Sequence, residues 1–167
     1  MSDGTAATRR RVLLAVGAAP LALAATAAAA PRSDLDILEG LLALEHRLDS
    51  AYDAALRRGA LEERLALALR DQEREHLRGI ELAMTARGRR PPPAPDPDSG
   101  LARSLRSAGA FRRYALGLEG RAVRSYVDAL ASLRDTRLLQ PLGAIMASEA
   151  QHRVALRMSL GDPLLGV

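Results

Sequence analysis

The sequence predicts an all-α domain, and two observations carry this prediction. Residues that favour strands are scarce, since the 167-residue chain has three Tyr, one Phe and no Trp, whereas Ala and Leu are abundant. Apolar residues recur every three or four positions, which is the spacing of one face of a helix. With 48% hydrophobic residues the chain suffices for one domain with a buried core, and we expect four helices and no sheet.

Residues 1–30 differ in character from the rest of the chain. The arginines Arg9, Arg10 and Arg11 precede an apolar run that continues to Ala30. This pattern resembles a bacterial twin-arginine export signal, which would place residues 31–167 outside the cytoplasm, in the periplasm, in the cell wall or secreted. An uncleaved membrane anchor is the alternative, disfavoured by the Ala content of the run and by Pro20. We expect membrane association only through this signal.

The first two helices are predicted to form an antiparallel hairpin. Ser33 is a suitable N-cap with Asp36 three residues later, and apolar spacing continues from there to Gly59. A second apolar stripe starts near Ala60 and ends near residues 87–88. Because only a short Gly-containing turn separates the two helices, they must lie antiparallel.

Residues 88–99 are predicted to be a crossover linker. Their five prolines fix the backbone near polyproline II geometry and lack N–H donors, so this segment cannot be helical. At ~3.1 Å per residue it reaches about 37 Å, nearly the length of the second helix. We therefore expect the chain to return to the end at which the second helix began, so that helices two and three run parallel. A disordered linker between independent hairpins is disfavoured, because neither hairpin alone buries its apolar face.

The second pair of helices is predicted from Leu101 to Leu133 and from the region 136–141 to about Ser159. Pro141 suits the first turn of the last helix better than its interior. Gly161 is expected to end that helix.

The two halves of the chain repeat one another. LEHRLDSAYDAAL (residues 44–56) matches LEGRAVRSYVDAL (residues 118–130), and the next helix of each half carries Glu-x-x-His. The repeat places charged side chains where a core stripe requires Leu, and all of them at one level of the bundle. These side chains are Glu45, Glu73, His76, Glu119, Glu149 and His152.

Four carboxylates in one buried layer indicate a metal site. An isolated buried carboxylate is strongly destabilising, whereas two divalent ions would balance four negative charges. Neutral imidazoles add ligands without changing that balance. The chain has no Cys, which excludes disulfides, iron–sulfur clusters and thiolate zinc sites, so any metal must use carboxylate and imidazole.

This ligand pattern resembles the ferritin-like superfamily of carboxylate-bridged dimetal proteins, in which two helices give one Glu each and two give Glu-x-x-His. The resemblance covers about residues 34–159. It implies that Glu45 and Glu119 are the single-Glu ligands and that the two Glu-x-x-His pairs supply the rest. It also implies two divalent metal ions, for which we expect iron, with manganese as the alternative, and oxygen or peroxide as a reaction partner.

The sequence also allows predictions for four side chains close to the ligand candidates. Tyr52 and Tyr126 each follow a predicted ligand Glu by seven residues, so both lie on the ligand face and can donate hydrogen bonds near the site. Simple core packing is an equally good interpretation of these tyrosines. His46 is expected at the surface and Glu75 in solvent.

Charge composition argues against nucleic-acid binding. The net charge is +4, the 24 basic residues are all Arg, and they alternate with acidic residues along the helices. Neither a segregated basic stripe nor stacking aromatics are visible, so the charges are interpreted as a solvated surface.

Two functional hypotheses follow from the sequence. The first is an exported di-iron or di-manganese oxidoreductase, ferroxidase-like or peroxidase-like. The second is a metal-free structural or stress-protective bundle that acts by binding. A homodimer is compatible with either hypothesis, whereas a large iron-storage cage is not expected.

Overall fold

The computed structural model describes residues 33–162, so the predicted export signal lies outside the described residues. Its five α-helices and one 3-10 turn include no strand within that range, which confirms the predicted all-α class. The elements are α1 (Asp34–Arg58), α2 (Glu63–Thr85), α3 (Ser99–Ser104), α4 (Ala108–Ser132), a 3-10 turn (Thr136–Leu138) and α5 (Leu139–Leu160). None of these helices combines the length and apolar character that a membrane span requires.

The ends of α1 follow the predicted local rules. The Ser33 hydroxyl accepts a hydrogen bond from the Asp36 amide at 3.2 Å, and the Asp36 carboxylate accepts one from the Ser33 amide, which completes a capping box. At the other end Gly59 has a φ of +61°, a left-handed conformation that a side chain would strain. The chain therefore reverses here and α2 returns antiparallel to α1.

Two predicted helix boundaries were wrong. The second helix begins at Glu63 rather than near Ala60, because the Glu62 carboxylate accepts the amides of Arg64 and Leu65 and caps the helix there. The third predicted helix is divided into α3 and α4. It breaks because the Ser107 hydroxyl accepts the Ala110 amide at 3.1 Å, which starts a new helix.

The last helix agrees with its predicted bounds. It begins at Leu139 after the 3-10 turn, and Pro141 lies in its first turn. It ends at Leu160, where Gly161 adopts a φ of +74°. Asp34 at the start of α1 accepts the backbone amides of Arg134 and Asp135 at 3.0 and 2.8 Å, which fixes the α4–α5 connection against α1.

The Pro-rich segment crosses the length of the bundle, as predicted. Near its start Arg89 pairs with Glu39 in the early turns of α1 at 3.1 Å. Near its end Asp98 accepts a hydrogen bond from Tyr114 of α4 at 3.2 Å. Helices α2 and α4 therefore start at the same end and run parallel, while α1 and α4 run antiparallel.

The apolar core is divided into two clusters. The upper cluster joins the C-terminal half of α1 to the N-terminal halves of α2 and α4, to α3 and to the C-terminal end of α5, and it includes Leu48, Leu69, Leu101, Phe111, Leu118 and Leu156. The lower cluster joins the N-terminal half of α1 to the C-terminal halves of α2 and α4 and to the start of α5, and it includes Leu38, Leu42, Ile80, Met84, Ala129 and Leu142. The predicted ligand residues lie on α1, α2, α4 and α5, the four helices to which both clusters also contribute.

Candidate metal centre

The six predicted ligand side chains are buried and lie together. The carboxylates of Glu45, Glu73, Glu119 and Glu149 are each 0% exposed. His76 and His152 are 8% and 3% exposed, and their rings stack with centroids 5.8 Å apart. The sequence repeat therefore brings all six groups to one place, while their role as metal ligands stays a prediction.

The six residues form two overlapping groups of four, and within each group one ligand atom per residue lies within 4.8 Å of the others. The His76 group consists of Glu45, Glu73, His76 and Glu149. The His152 group consists of Glu73, Glu119, Glu149 and His152. Both groups contain Glu73 and Glu149, so these two carboxylates would be shared if each group held an ion, whereas Glu45 and Glu119 each belong to one group.

Both imidazoles present the same nitrogen to the carboxylates. Nδ1 of His76 lies 2.8 Å from Oε1 of Glu149, 3.2 Å from Glu73 and 3.4 Å from Glu45. Nδ1 of His152 lies 3.0 Å from Oε1 of Glu73, and 3.5 Å from both Glu119 and Glu149. Each imidazole thus contacts carboxylates from both halves of the chain.

Many polar atoms of this layer are buried and make no well-oriented hydrogen bond, although the imidazole Nδ1 atoms lie close to some of them. They are Oε2 of Glu45, Oε1 of Glu73, Oε2 of Glu119, both carboxylate oxygens of Glu149 and Nδ1 of His152. Buried oxygens of this kind are destabilising unless a donor or a cation satisfies them. Oxygen and imidazole donors in this number suit divalent iron or manganese, so the residues present fit a pair of such ions.

The tyrosines bond across the bundle to the single-Glu side chains. Tyr126 donates to Oε1 of Glu45 at 2.5 Å, and Tyr52 donates to Oε1 of Glu119. Each tyrosine therefore orients the carboxylate of the other half of the repeat. Both rings are 0% exposed, and burial together with the nearby carboxylates raises the pKa of both hydroxyls well above its ordinary value, so they remain donors.

Without metal, protonation reduces the charge of the layer. Burial raises the pKa of Glu45 and of Glu119 well above its ordinary value. Burial alone would lower the pKa of His76, but its contacts with Glu149, Glu45 and Glu73 outweigh that effect and raise the pKa to about 11.

The pKa values of His152 and Glu149 are also shifted by contacts within the layer that outweigh burial. For His152 the contacts with Glu119, Glu149 and Glu73 outweigh burial and raise the pKa to about 12. For Glu149 burial favours a raised pKa, yet contacts with Glu119 and both imidazoles lower it below its ordinary value. Imidazolium ions and neutral carboxyls thus take the place that cations would otherwise fill.

Two further polar side chains reach the site, and these two were not predicted from the sequence. Gln72 Oε1 lies 2.6 Å from Nε2 of His152, and Ser148 Oγ lies 3.2 Å from the same atom. They occupy equivalent positions of the repeat, each directly before the Glu of Glu-x-x-His. This position next to a predicted ligand is the feature of the sequence from which they could have been predicted. Glu75 is exposed as predicted, whereas His46 is half-buried rather than a plain surface residue.

The fold corresponds to that of a known protein family. The family model described as a ferritin-like domain matches residues 33–162. The chain belongs to this family. No curated protein matches it. The matched range contains all six ligand candidates of the ferritin-like domain, together with the Pro-rich crossover.

Proposed function

We propose that this chain is an exported ferritin-like protein that binds two divalent metal ions, iron or manganese, and uses them to oxidise Fe(II) or remove peroxide outside the cytoplasm. One observation carries the proposal: four fully buried carboxylates converge with two imidazole nitrogens in two overlapping groups, and several of the carboxylate oxygens accept no well-oriented hydrogen bond. A purely structural core would have no need of such atoms, because apolar side chains of similar volume would fill the layer without the cost of desolvation.

Charge and ligand sharing both support two ions. Four ionised carboxylates carry four negative charges, which two divalent ions neutralise. Glu73 and Glu149 belong to both groups, so each can contact two ions, while Glu45 and Glu119 complete one group each. The two His would supply one nitrogen to each ion.

The surrounding residues prepare the site for a redox reaction. Bound iron would supply the redox chemistry: oxidation of two Fe(II) to Fe(III) would provide two electrons, which with two protons would convert one hydrogen peroxide to two waters or one dioxygen to hydrogen peroxide. Tyr52 and Tyr126 hold the single-Glu carboxylates in place by hydrogen bonds from the opposite half. The four carboxylates are 0% exposed on helices that also carry both apolar clusters, so bulk water is kept from them.

The extracytoplasmic location is proposed from residues 1–30. The twin-arginine pattern and the apolar run after it are the support, and the resemblance to exported bacterial ferritin-like proteins implies that the chain is exported folded and already loaded with metal. Detection of the full-length protein in cell fractions, with both arginines Arg9 and Arg10 intact or replaced by Lys, tests this part separately.

Metal analysis tests the central proposal. The protein is purified without chelator, its metal content is measured, and ferrous iron is then added under air while the ultraviolet–visible spectrum is recorded. We expect two ions per chain and a new charge-transfer absorption band. Glu73→Gln should lose the bound ions and the absorption band. The matched control Glu75→Gln, changed at an exposed position on the same helix, should retain the ions and the band.

A metal-free bundle is the competing function. A well-folded protein that binds no iron and no manganese at any ratio would contradict the metal proposal and favour a structural or stress-protective role.

A further inference from the structure

Within residues 33–162, the two halves of the repeat carry different residues at the position that contacts the outer nitrogen of a predicted ligand imidazole. Gln72 in the first half corresponds to Ser148 in the second. Instead of serving one imidazole each, both side chains converge on His152: Gln72 Oε1 lies 2.6 Å from Nε2, Ser148 Oγ lies 3.2 Å from Nε2, and Ser148 Oγ donates to Gln72 Oε1 at 3.1 Å. The side chain on α2 is long enough to cross to α5, and the serine on α5 is too short to make the reverse contact.

This contact biases the protonation pattern of one ring. An amide oxygen only accepts hydrogen bonds, so the 2.6 Å contact with Gln72 Oε1 favours the hydrogen on Nε2 of His152. In a neutral imidazole the lone pair is then on Nδ1, the atom that faces Glu73, Glu119 and Glu149.

His76 lacks the equivalent support. Its contacts with Glu149, Glu73 and Glu45 all involve Nδ1, and within residues 33–162 no side chain hydrogen-bonds its Nε2. A neutral His76 is therefore free to place its hydrogen on either nitrogen. Placing it on Nδ1 would block the position of an ion.

We propose, on the basis of the function proposed above, that the two metal positions are unequal and that Gln72 is the positioning residue responsible. The His152 group binds a divalent cation first and more tightly, and the His76 group binds the second cation more weakly. Hydrogen bonds to the outer nitrogen of a ligand imidazole typically change metal affinity 10- to 100-fold, so the two binding steps should be separated by roughly that factor.

Calorimetric titration of the full chain with Co²⁺ tests the inference. Wild type is expected to bind two ions in two resolved steps. Gln72→Ala should weaken the first step by about 10- to 100-fold and leave the second unchanged, so that the steps merge while the total stays two. Gln72→Glu keeps an acceptor for Nε2–H and should restore the tight step. The matched control is Gln151→Ala, an exposed glutamine adjacent to His152, which should leave both steps intact.

A spectroscopic measurement separates positioning from a merely structural contact between α2 and α5. In the Co²⁺ protein, the imidazole N–H hydrogens give strongly shifted proton NMR signals. We expect one slowly exchanging N–H signal in wild type, from His152, and its loss by fast exchange in Gln72→Ala. A structural contact would lower the unfolding temperature of metal-free Gln72→Ala without changing this signal.

The outcomes distinguish this inference from the proposed function. Absence of Co²⁺ binding by wild type would contradict both. Two equal binding steps in wild type, or a first step in Gln72→Ala as tight as in wild type, would overturn the role of Gln72 and leave the two-ion proposal intact.

Discussion

The hydroxyl of Tyr126 donates a 2.5 Å hydrogen bond to Oε1 of Glu45, although the two residues are 81 positions apart. Tyr52 makes the equivalent bond to Glu119. The pair of bonds joins α1 and α4 through the centre of the bundle, because the antiparallel packing of these helices brings each tyrosine opposite the carboxylate of the other half.

Replacement of either tyrosine by Phe should destabilise the metal-free protein. Tyr126→Phe leaves a buried carboxyl oxygen without its donor, which typically costs about 1–3 kcal/mol of the free energy of unfolding. Tyr52→Phe should cost a similar amount. Urea unfolding measures both. Tyr114→Phe serves as the control, since Tyr114 is only half-buried and donates a hydrogen bond to Asp98 near the surface. An equal loss of unfolding free energy in this control would contradict the explanation that burial makes the other two hydrogen bonds important.

Removal of a shared carboxylate should affect both ions, and removal of an unshared one should affect a single ion. Glu73 belongs to both ligand groups and Glu45 to one. We expect Glu73→Gln to retain less than one ion per chain after dialysis and Glu45→Gln to retain about one, as measured by elemental analysis. Equal retention by the two variants would show that the carboxylates are not divided in this way.

The metal-free protein should lose stability as the pH rises from about 6.5 towards about 11. His76 and His152 have folded pKa values of about 11 and about 12, so the stability they contribute is complete below the unfolded value of 6.5 and is lost as the pH rises towards the folded values. The raised pKa values of Glu45 and Glu119 act in the same direction above the unfolded value of 4.5. Glu149 has a lowered pKa, and its stabilising contribution is already complete in this range.

Bound metal should counteract the loss of stability at higher pH. Binding requires neutral imidazoles and ionised carboxylates, so affinity rises as these groups lose protons. We expect the increase in melting temperature caused by Mn²⁺ to grow over the same pH range, as followed by circular dichroism. A variant with His76→Gln and His152→Gln should show a flatter pH dependence without metal, and an unchanged slope would contradict the assignment to these imidazoles.

Asp34→Ala should loosen the connection between α4 and α5. The Asp34 carboxylate accepts two backbone amides of that connection, at 3.0 and 2.8 Å, and lies in the first turn of α1 where a negative charge is favourable. We expect a loss of about 1–3 kcal/mol in the free energy of unfolding by urea. Asp128→Ala, an exposed position on α4, should change it by less than about 0.5 kcal/mol.

The buried cluster of four Glu and two His could be predicted from the sequence because these residues violate the core pattern. Glu45 and Glu119 occupy positions where the helical spacing requires an apolar side chain, and the repeat gives each of them a counterpart. Burial of an unpaired carboxylate is so unfavourable that its position in a core stripe is informative. The crossover was equally accessible, since five prolines leave the linker no helical alternative and its reach determines where α4 begins.

Features that depend on side chains crossing between helices were not predicted. The sequence places Tyr52 near its own Glu45, yet the hydrogen bond goes to Glu119 because α1 and α4 pack antiparallel. Gln72 was missed for a related reason, since its partner is on α5 and is set by tertiary packing. The break before α4 was missed because apolar spacing continues through Ser107, and only the capping geometry shows that a new helix starts.

Neither half of the chain can assemble a complete ligand group by itself, because the His76 group takes Glu149 from the second hairpin and the His152 group takes Glu73 from the first. Two copies of a single hairpin, related by a two-fold axis, would supply the same six groups. A bundle of this kind is therefore accessible by fusing the gene of a self-associating hairpin to its own duplicate, and the Pro-rich crossover is the piece of chain that such a fusion has to add.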